Sequence, residues 1–272
     1  MYNLLKGKRG IIFGALDSNS IAWKVAERAH EEGATFVLTN APIAMRMGTI
    51  NELAEKTGSQ VIPADATSMD DLSNLIDKSV EILGGKIDFV LHSIGMSLNV
   101  RKAKHYTDSN YDFTHKGFDI SALSFHRVMN LLYNKQAMSE WGSIVALTYM
   151  AAQRVFPDYN DMADNKAYLE SVARSFGYFF GRDHNVRVNT ISQSPTPTTA
   201  GSGVKGFDGF INYASDMSPL GNATAADCAD YTISLFSDLT KKVTMQNLFH
   251  DGGFSNVGVS TAVMSKFVDE EA

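Results

Sequence analysis

Residues 10–22 read GIIFGALDSNSIA, a short apolar strand pattern that leads through a glycine into the start of a helix pattern. Gly14 can adopt backbone angles that other residues avoid, and its missing side chain lets a ligand approach the backbone. Ser20 is placed to cap the helix, whose free N–H groups and positive end attract a pyrophosphate. The stretch predicts a strand, a turn and a helix that bind a dinucleotide, although a lone glycine after a strand is as often an ordinary turn.

The alternation of strand and helix continues along the chain. Short apolar or β-branched runs predict strands at residues 10–13, 35–38, 60–62, 87–91, 143–147, 186–191 and 245–249. Three- and four-residue apolar spacing predicts helices at residues 20–32, 43–57, 69–83, 117–139, 162–182 and 225–237. We therefore expect an α/β fold, a Rossmann-like doubly wound parallel sheet of about seven strands with helices on both faces. In such a sheet the ligand crevice lies beyond the carboxyl ends of the strands.

Length and charge limit the classes of function. The 272 residues are 44% hydrophobic, and we expect a single domain over residues 1–272 with a substrate-binding loop at about 193–216. Up to Gly206 this stretch shows no clear periodicity and is rich in Ser, Thr, Gly and Pro, which is typical of lids and binding loops. The 24 Lys and Arg against 30 Asp and Glu give a net charge of −6, so we expect no nucleic-acid partner.

Cysteine, histidine and apolar-run patterns exclude further classes. Cys228 is the only cysteine, so the chain has no intrachain disulfide and no thiolate cluster. The seven histidines show no metal-ligand spacing, and we expect no metal site. Eighteen consecutive apolar residues occur nowhere, and the N-terminus has no signal-like apolar segment. We expect a soluble, unprocessed, cytoplasmic protein with no membrane partner.

A tyrosine and a lysine seven positions apart are the main candidates for chemistry. At about 100° per residue, Tyr159 and Lys166 would share one face of a helix that carried both. A phenol, with a reference pKa of about 10, releases its proton more easily beside a cation, so the pair suits proton donation. Tyr149, ten residues earlier, adds a second phenol. For an isolated pair, the alternative is a packing tyrosine beside a solvated lysine.

Other polar or small residues fall at predicted strand ends. Asp65 follows the third strand, Ser93-Ile94-Gly95 the fourth and Tyr149 the fifth, so all should open onto one crevice. An aspartate can accept a hydrogen bond from adenine, and the small Ser-Ile-Gly segment admits a flat ring. These features suit a nicotinamide cofactor, whereas a turn aspartate and a strand-ending glycine are the ordinary alternatives.

Together these motifs resemble a known family over about residues 6–255. The motifs are Gly14-x5-Ser20-x-Ala22, Asp65, Ser93-Ile94-Gly95, Tyr149-x9-Tyr159-x6-Lys166, the strand with Ser192, and Asp251-Gly252-Gly253-Phe254. They look like bacterial enoyl-acyl carrier protein reductase, a divergent member of the short-chain dehydrogenase/reductase superfamily. The most specific motif is the six-residue gap between Tyr159 and Lys166, because most of the superfamily uses a gap of three. The one Tyr-x3-Lys of this chain, Tyr2 to Lys6, precedes the first strand.

The resemblance implies a mechanism. Hydride from a reduced nicotinamide would add to the β-carbon of a trans-2-enoyl thioester, and Tyr159 would donate to the enolate oxygen. Lys166 would bind the nicotinamide ribose hydroxyls, and Tyr149 would lie near the reacting carbon or the acyl chain. The implied partners are an enoyl thioester on acyl carrier protein and further copies of the chain in a homotetramer.

The resemblance also implies two sets of site residues. The cofactor-binding set is Gly14, Ser20, Ile21, Asp65, Ala66, Ser93, Ile94, Gly95, Lys166, Thr196 and Thr198. The substrate-binding set is Met96, Tyr149, Tyr159, Met162 and Phe207. For the two methionines and the phenylalanine, core packing is the alternative.

The end of the second strand determines the expected cofactor. An acidic residue there would bind the ribose 2′-hydroxyl and an arginine would accept a 2′-phosphate, yet neither occurs before Arg46. We expect NADH, with NADPH less favoured, because only a mobile loop would bring Arg46 back to the cofactor.

Two stretches depart from the family pattern. Ser194 departs from the Ala-Gly that the family pattern usually has before the proline, and Thr196, in place of isoleucine, makes the nicotinamide pocket more polar. Asp208 and Gly209 stand where the family often has basic residues, which weakens docking of an acidic carrier, while the basic residues of 101–104 form either another docking patch or a solvated face. Two alternatives therefore stay open: a non-catalytic dinucleotide-binding regulatory protein and a ketone-reducing short-chain dehydrogenase/reductase. The second has less support from the Tyr-to-Lys spacing.

Overall fold

The computed structural model describes residues 2–199, 201 and 206–268 and contains a seven-stranded sheet. Strands β1 to β7 span Arg9–Phe13, Thr35–Thr39, Gln60–Val61, Ile87–His92, Met138–Thr148, Arg187–Gln193 and Asn247–His250. They pair in parallel in the order β3-β2-β1-β4-β5-β6-β7. The order reverses between β1 and β4, which places a ligand crevice beyond their carboxyl ends. The predicted Rossmann-like doubly wound sheet is confirmed.

Helices join successive strands and extend beyond the last one. Helices α1 to α11 span Ile21–Glu31, Pro42–Met45, Ile50–Thr57, Met69–Leu83, Leu98–Arg101, Tyr111–Phe118, Ser124–Asn134, Asn160–His184, Phe207–Met217, Ala225–Phe236 and Thr261–Met264. Two short 3-10 turns, Met150–Ala152 and Pro157–Tyr159, carry the chain from β5 to α8.

Alternate residues of the strands supply two hydrophobic cores. Ile11 of β1 and Val90 of β4 pack with residues of α4, α7 and α8. Their neighbours Ile12 and Leu91 pack with residues of α1, α3 and α10. Because successive side chains of a strand point to opposite faces, helices cover both faces of the sheet, as predicted. Each such buried aliphatic side chain contributes roughly 1.5–3 kcal/mol.

The predicted helix over residues 43–57 is wrong, because the chain forms two helices there. Helix α2 ends at Met45 and α3 begins at Ile50. Between them Gly48 passes so close to Leu16 that an added Cβ would lie 2.2 Å from the Leu16 carbonyl oxygen. The Thr49 N–H donates to that carbonyl at 2.9 Å, so a tertiary contact with the β1–α1 turn interrupts the helix.

The predicted helix over residues 117–139 has the wrong ends. It begins earlier, at Tyr111, because the Asn110 side chain accepts a hydrogen bond from the Phe113 N–H and caps α6. A π-helical turn at Asp119–Leu123 joins α6 to α7. Helix α7 ends at Asn134, and Met138 already belongs to β5, which begins five residues earlier than predicted.

The predicted substrate-binding loop at 193–216 is only partly a loop. Helix α9 begins at Phe207, directly after Gly206, whose φ of 73° suits a glycine. The serine- and glycine-rich sequence before it conceals the helix from pattern analysis. Residues 200 and 202–205 of the predicted loop lie outside the described residues.

Two features of the described residues concern membranes and metal ions. Among residues 2–199, 201 and 206–268, no helix is long and apolar enough to cross a membrane. The same residues contain no group of three or more His, Cys, Asp or Glu side chains placed to hold a metal ion.

Candidate active site

A cavity of about 400 Å³ opens beyond the carboxyl ends of the central strands. Its wall comes from the β1–α1 turn, the ends of β4, β5 and β6, the start of α8, and α9. Of the residues predicted from sequence, those lining it are Gly14, Ser20, Ile21, Ser93, Ile94, Gly95, Met96, Tyr149, Tyr159, Met162, Lys166, Thr196, Thr198 and Phe207. Asp65 and Ala66 do not line it. The topology thus brings together residues up to 193 positions apart in sequence.

The turn after β1 packs closely against the segment that follows β4. Gly14 has a φ of 93°, and an added Cβ would lie 2.0 Å from the Ser93 carbonyl oxygen. Ser20 occupies the position before α1, but its hydroxyl accepts from the N–H groups of Leu16 and Asp17 at 3.0 Å each. The predicted capping bond of Ser20 is therefore wrong: the hydroxyl closes the turn, and the positive start of α1 faces the cavity.

Gly95 lies beside two of the candidate site residues, Met162 and Lys166. An added Cβ on Gly95 would stand 3.8 Å from both Lys166 Nζ and the Met162 terminal methyl. The segment from Ser93 to Gly95 therefore forms a thin wall next to the lysine. A flat ring can lie against the backbone of Gly95, since this residue adds no side chain to the wall.

Tyr159 is the last residue of a 3-10 turn and immediately precedes α8. Its ring centroid lies 5.2 Å from that of Tyr149. Burial raises the pKa of Tyr159 well above its usual range. The sequence predicts that Lys166 lowers the pKa of Tyr159. This prediction is wrong, because desolvation of the buried phenol has the larger effect on that pKa. Tyr159 therefore stays protonated and can donate its hydrogen.

Lys166 lies on the buried face of α8, only 8% exposed. Its Nζ donates to the Leu147 carbonyl oxygen at 2.8 Å. Burial lowers the pKa of Lys166 to about 8, and Glu170 opposes that change. The lysine thus remains mostly cationic at neutral pH and loses its charge as the pH rises through about 8.

Tyr149 follows the end of β5 inside an aromatic cluster. Its ring lies 5.3 Å from that of Phe156 and 6.4 Å from that of Phe210. Its hydroxyl is buried without a hydrogen-bond partner in the described part of the chain. Burial, followed by Tyr159 and Asp251, raises the pKa of Tyr149. A protonated phenol without a partner at a cavity wall suits binding of a ligand oxygen.

The apolar part of the wall includes residues that were not predicted from the sequence. Val100, Phe156 and Phe210 line the cavity beside the predicted Met162 and Phe207. One signal was available: Phe210 lies three residues after Phe207, which places both on one side of α9. Phe156 lies in an irregular segment and gives no such signal.

The loop after β6 uses its hydroxyls internally. Thr196 Oγ donates to the Ser194 carbonyl oxygen at 2.9 Å, and Thr198 Oγ accepts from the Gly201 N–H at 3.0 Å. Ser194 Oγ accepts from the Ala223 N–H at 2.9 Å. These polar residues therefore shape the loop as well as line the cavity.

Asp65 lies apart from the cavity, and its side chain closes a local turn. One carboxylate oxygen accepts from the Thr67 N–H at 2.9 Å and from the Thr67 hydroxyl at 2.8 Å. Asn40, at the end of β2, donates to the Ala15 carbonyl oxygen at 3.1 Å. The adenine-binding roles of Asp65 and Ala66 stay predictions.

The three basic residues of the segment 101–104 each make a different contact. Arg101 stands at the cavity wall, Lys102 lies 5.0 Å from the centre of the Phe113 ring, and Lys104 pairs with Asp108 at 3.5 Å. Lys205, the lysine that the sequence retains before α9, lies outside the described residues.

A buried polar network beside Tyr159 was also missed. Asp161, 2% exposed, accepts from Ser97 Oγ at 2.5 Å and from Asn99 Nδ2 at 2.8 Å. Asn160 donates to the Lys104 carbonyl oxygen at 2.8 Å and has a φ of 42°, a strained value for a residue other than glycine. The network ties the segment 97–104 to the first turn of α8. The two segments are far apart in sequence, and only folding brings their polar residues together inside the protein.

Known proteins include relatives of this chain. The family model described as "Enoyl-(Acyl carrier protein) reductase" matches residues 14–255. The chain is 30% identical over 272 residues to "Enoyl-[acyl-carrier-protein] reductase [NADH] 2" of Rhizobium meliloti, and the match covers all of both chains.

Solved structures extend the likeness to the whole fold. A FabI-NADH complex from Alistipes finegoldii is 63% identical with a TM-score of 0.97, over 100% of this chain and 95% of that one. The Bacillus cereus enoyl-acyl carrier protein reductase, solved with NADP+ and indole naphthyridinone, is 31% identical with a TM-score of 0.87, over 94% of this chain and 99% of that one. The chain belongs to the enoyl-(acyl carrier protein) reductase family.

Proposed function

We propose that this chain reduces the carbon–carbon double bond of trans-2-enoyl thioesters on acyl carrier protein, with NADH, in the elongation cycle of fatty acid biosynthesis. The observation that carries the proposal is the convergence of Tyr149, Tyr159 and Lys166 on the cavity that also holds the Gly14 turn. Hydride transfer requires that the dinucleotide and the substrate bind in the same cavity, so the Gly14 turn and the two tyrosines must line one cavity. The names of the relatives support the same reaction.

The cavity residues fit a nicotinamide dinucleotide. A Cβ at position 14 would overlap the Ser93 backbone, so the turn requires glycine, and we propose that this turn and the start of α1 bind the pyrophosphate. Gly95 has no side chain, so a flat ring can approach its backbone close to Lys166 Nζ. We propose that the binding residues are Gly14, Ser20, Ile21, Ser93, Ile94, Gly95, Lys166, Thr196 and Thr198, with Asp65 and Ala66 beyond the cavity at the adenine end.

The protein residues then act on charge and position. When bound, NADH supplies the hydride for the β-carbon. Tyr159, kept protonated by burial, donates a hydrogen bond to the thioester oxygen as negative charge develops there, a contribution of about 2.7–4 kcal/mol by analogy with one oxyanion-hole donor. Lys166 holds the ribose hydroxyls and adds positive potential. Tyr149 lies across from Tyr159 and bounds the reacting carbon.

The segment after β2 supports NADH as the cofactor. Asn40 ends that strand region, and its amide is engaged with the Ala15 carbonyl oxygen and the Ala41 N–H. No arginine of this segment precedes Arg46 to accept a 2′-phosphate. The Bacillus cereus relative was solved with NADP+, so NADPH is the second candidate.

The acyl chain is proposed to lie between Met96, Met162 and Phe207, along the apolar part of the cavity. Residues 193–216 would form the substrate-binding segment of a single domain over 1–272. The described part of that segment combines a loop with α9. Flexible methionines and aromatic walls suit an apolar chain of variable length.

Assembly and location complete the proposal. Tyr178 and Phe179 of α8 are 51% and 53% exposed, and Phe249 of β7 is 39% exposed. Such exposed apolar residues support contacts with other copies, and we propose a homotetramer through α8 and β7. We place the enzyme in the cytoplasm, where a reducing environment suits a single free cysteine.

An isotope experiment tests the reaction directly. NADH carrying deuterium on C4 of the nicotinamide is incubated with the chain and crotonyl thioester, and the product is analysed by mass spectrometry and NMR. The proposal predicts deuterium on the β-carbon and solvent hydrogen on the α-carbon. Tight NADH binding with unchanged thioester would instead favour the non-catalytic regulatory protein.

A further inference from the structure

Lys166 and Glu170 lie one turn apart on the buried face of α8. They are 8% and 4% exposed, respectively. Side chains four residues apart on a helix are neighbours, so the two groups face the same interior. The ammonium group binds the Leu147 carbonyl oxygen at 2.8 Å, at the end of β5.

Glu170 joins three elements to α8. Its carboxylate accepts from Thr148 Oγ at 2.9 Å, from Gln153 Nε2 at 3.0 Å and from Asn247 Nδ2 at 3.2 Å. All three partners are uncharged donors, an arrangement that suits a carboxylate anion. The partners come from the end of β5, the segment after it and β7.

The side chains of Lys166 and Glu170 therefore bind two consecutive residues of β5. Leu147 is bound by Lys166, Thr148 is bound by Glu170, and Tyr149 follows with its ring on the cavity. We propose that Glu170 is a positioning residue: its carboxylate fixes the end of β5 against α8, so that Lys166 stays charged and Tyr149 faces the substrate. The proposal rests on the proposed reductase function.

The other titratable groups near Lys166 do not replace Glu170. His92 of β4 is fully buried, and burial and then Lys166 lower its pKa to about 3, so it remains neutral. Burial raises the pKa values of Tyr149 and Tyr159, so both stay uncharged at neutral pH. Within the described residues, Glu170 is the charged group that opposes the effect of burial on the pKa of Lys166.

The test follows the titration of Lys166 itself. Full-length protein labelled with 13C at lysine Cε is titrated by NMR without cofactor or substrate, and Lys166→Met identifies the Lys166 signal. In Glu170→Gln, which keeps the size of the side chain, we expect the midpoint to fall by about one pH unit. An unchanged midpoint would overturn the proposal.

A pH–rate profile supplies the second readout. The falling limb of kcat/KM, which reports the free enzyme, should move to lower pH in Glu170→Gln by the same amount as the NMR midpoint, and Glu170→Asp should restore it. A uniform loss of rate at every pH, without a shift of the limb, would show a merely structural role. Since the titration needs neither cofactor nor substrate, its result is separate from failure of the reductase function.

A folding failure of the glutamine variant also gives an answer. Removing the buried carboxylate of Glu170 leaves the nearby charge of Lys166 without an opposing charge, which is destabilising. If Glu170→Gln does not fold, adding Lys166→Met should restore folding, because the unpaired charge is then removed. Failure of the double variant to fold would contradict the proposal.

Discussion

The two phenols of the site, Tyr149 and Tyr159, differ in position although their rings lie 5.2 Å apart. Tyr159 adjoins the helix that carries Lys166, whereas Tyr149 sits among aromatic rings. We expect Tyr159→Phe to lower kcat by about 10²–10³, the loss seen when one oxyanion-hole donor is removed. Affinity for NADH, measured by fluorescence titration, should change little, since the cofactor is held elsewhere.

Tyr149→Phe is the matched variant, because it removes the same atom from the neighbouring ring. Its kcat should fall less than that of Tyr159→Phe. The reverse order would assign proton donation to Tyr149 and contradict our assignment.

Gly14 is the second residue whose role has a sharp test. In Gly14→Ala the new methyl would overlap the Ser93 backbone, so unfolding free energy should fall by about 2–4 kcal/mol from overlap and positive-φ strain. Gly58→Ala is the control: Gly58 also has a positive φ, 63°, but nothing lies within 4 Å of the added Cβ, so about 1–2 kcal/mol is expected. Urea unfolding measures both, and equal losses would refute a special role for the Gly14 turn.

For single residues, the sequence predicted which residues belong to the site better than it predicted what surrounds their side chains. The six-residue gap and the glycine after β1 were readable because each is a local pattern. The direction of the pKa change of Tyr159 was not, since burial depends on the aromatic cluster around the phenol. Glu170 was missed because its three partners come from distant parts of the chain.

Buried hydrogen bonds join the start of α8 to the segment 97–104. We expect Asp161→Asn to destabilise the protein by about 1–3 kcal/mol, because an amide keeps only one acceptor oxygen, and whichever of Ser97 and Asn99 faces its N–H group loses a buried hydrogen bond. The KM for the enoyl thioester should rise, since Val100 and Arg101 on this segment line the cavity.

Asp164→Asn provides the control on the same helix. Asp164 is exposed and accepts only from the Tyr106 hydroxyl, at 3.2 and 3.5 Å, among the described residues. Thermal unfolding and steady-state kinetics compare the two variants. Similar small effects would mean that the buried network does not hold the segment.

Element boundaries were predictable where local signals decide them. Helix α4 has the predicted bounds, 69–83, because Ser68 caps its start and Gly84 ends it in the left-handed region. The division between α2 and α3 was not predictable, because it depends on Gly48 meeting the Leu16 carbonyl. Helix α9 was hidden by the glycine-rich sequence before it.

For the whole molecule, alternation of strands and helices was enough to predict the doubly wound sheet. The order β3-β2-β1-β4-β5-β6-β7 is that of a doubly wound sheet, with one reversal between β1 and β4. The association of copies is a separate question. It depends on surface residues that no periodicity distinguishes.

The proposed tetramer predicts a defined response to surface charge. Changing both Tyr178 and Phe179 to Lys should yield smaller assemblies, because two exposed apolar residues of α8 would be replaced by cations that repel across a symmetric contact. Sedimentation velocity gives the mass, and Ile82→Lys on α4 is the control. A tetramer that survives the double change would move the interface elsewhere.

The central claim is NADH-dependent enoyl reduction, and an assay of the absorbance of the reduced nicotinamide tests it most directly. The purified chain is supplied separately with NADH or NADPH and with crotonyl or acetoacetyl thioester. We predict oxidation of NADH with the enoyl thioester, less with NADPH, and little with the 3-oxoacyl thioester. Faster turnover of the 3-oxoacyl thioester, or no cofactor oxidation with either substrate, would contradict the claim.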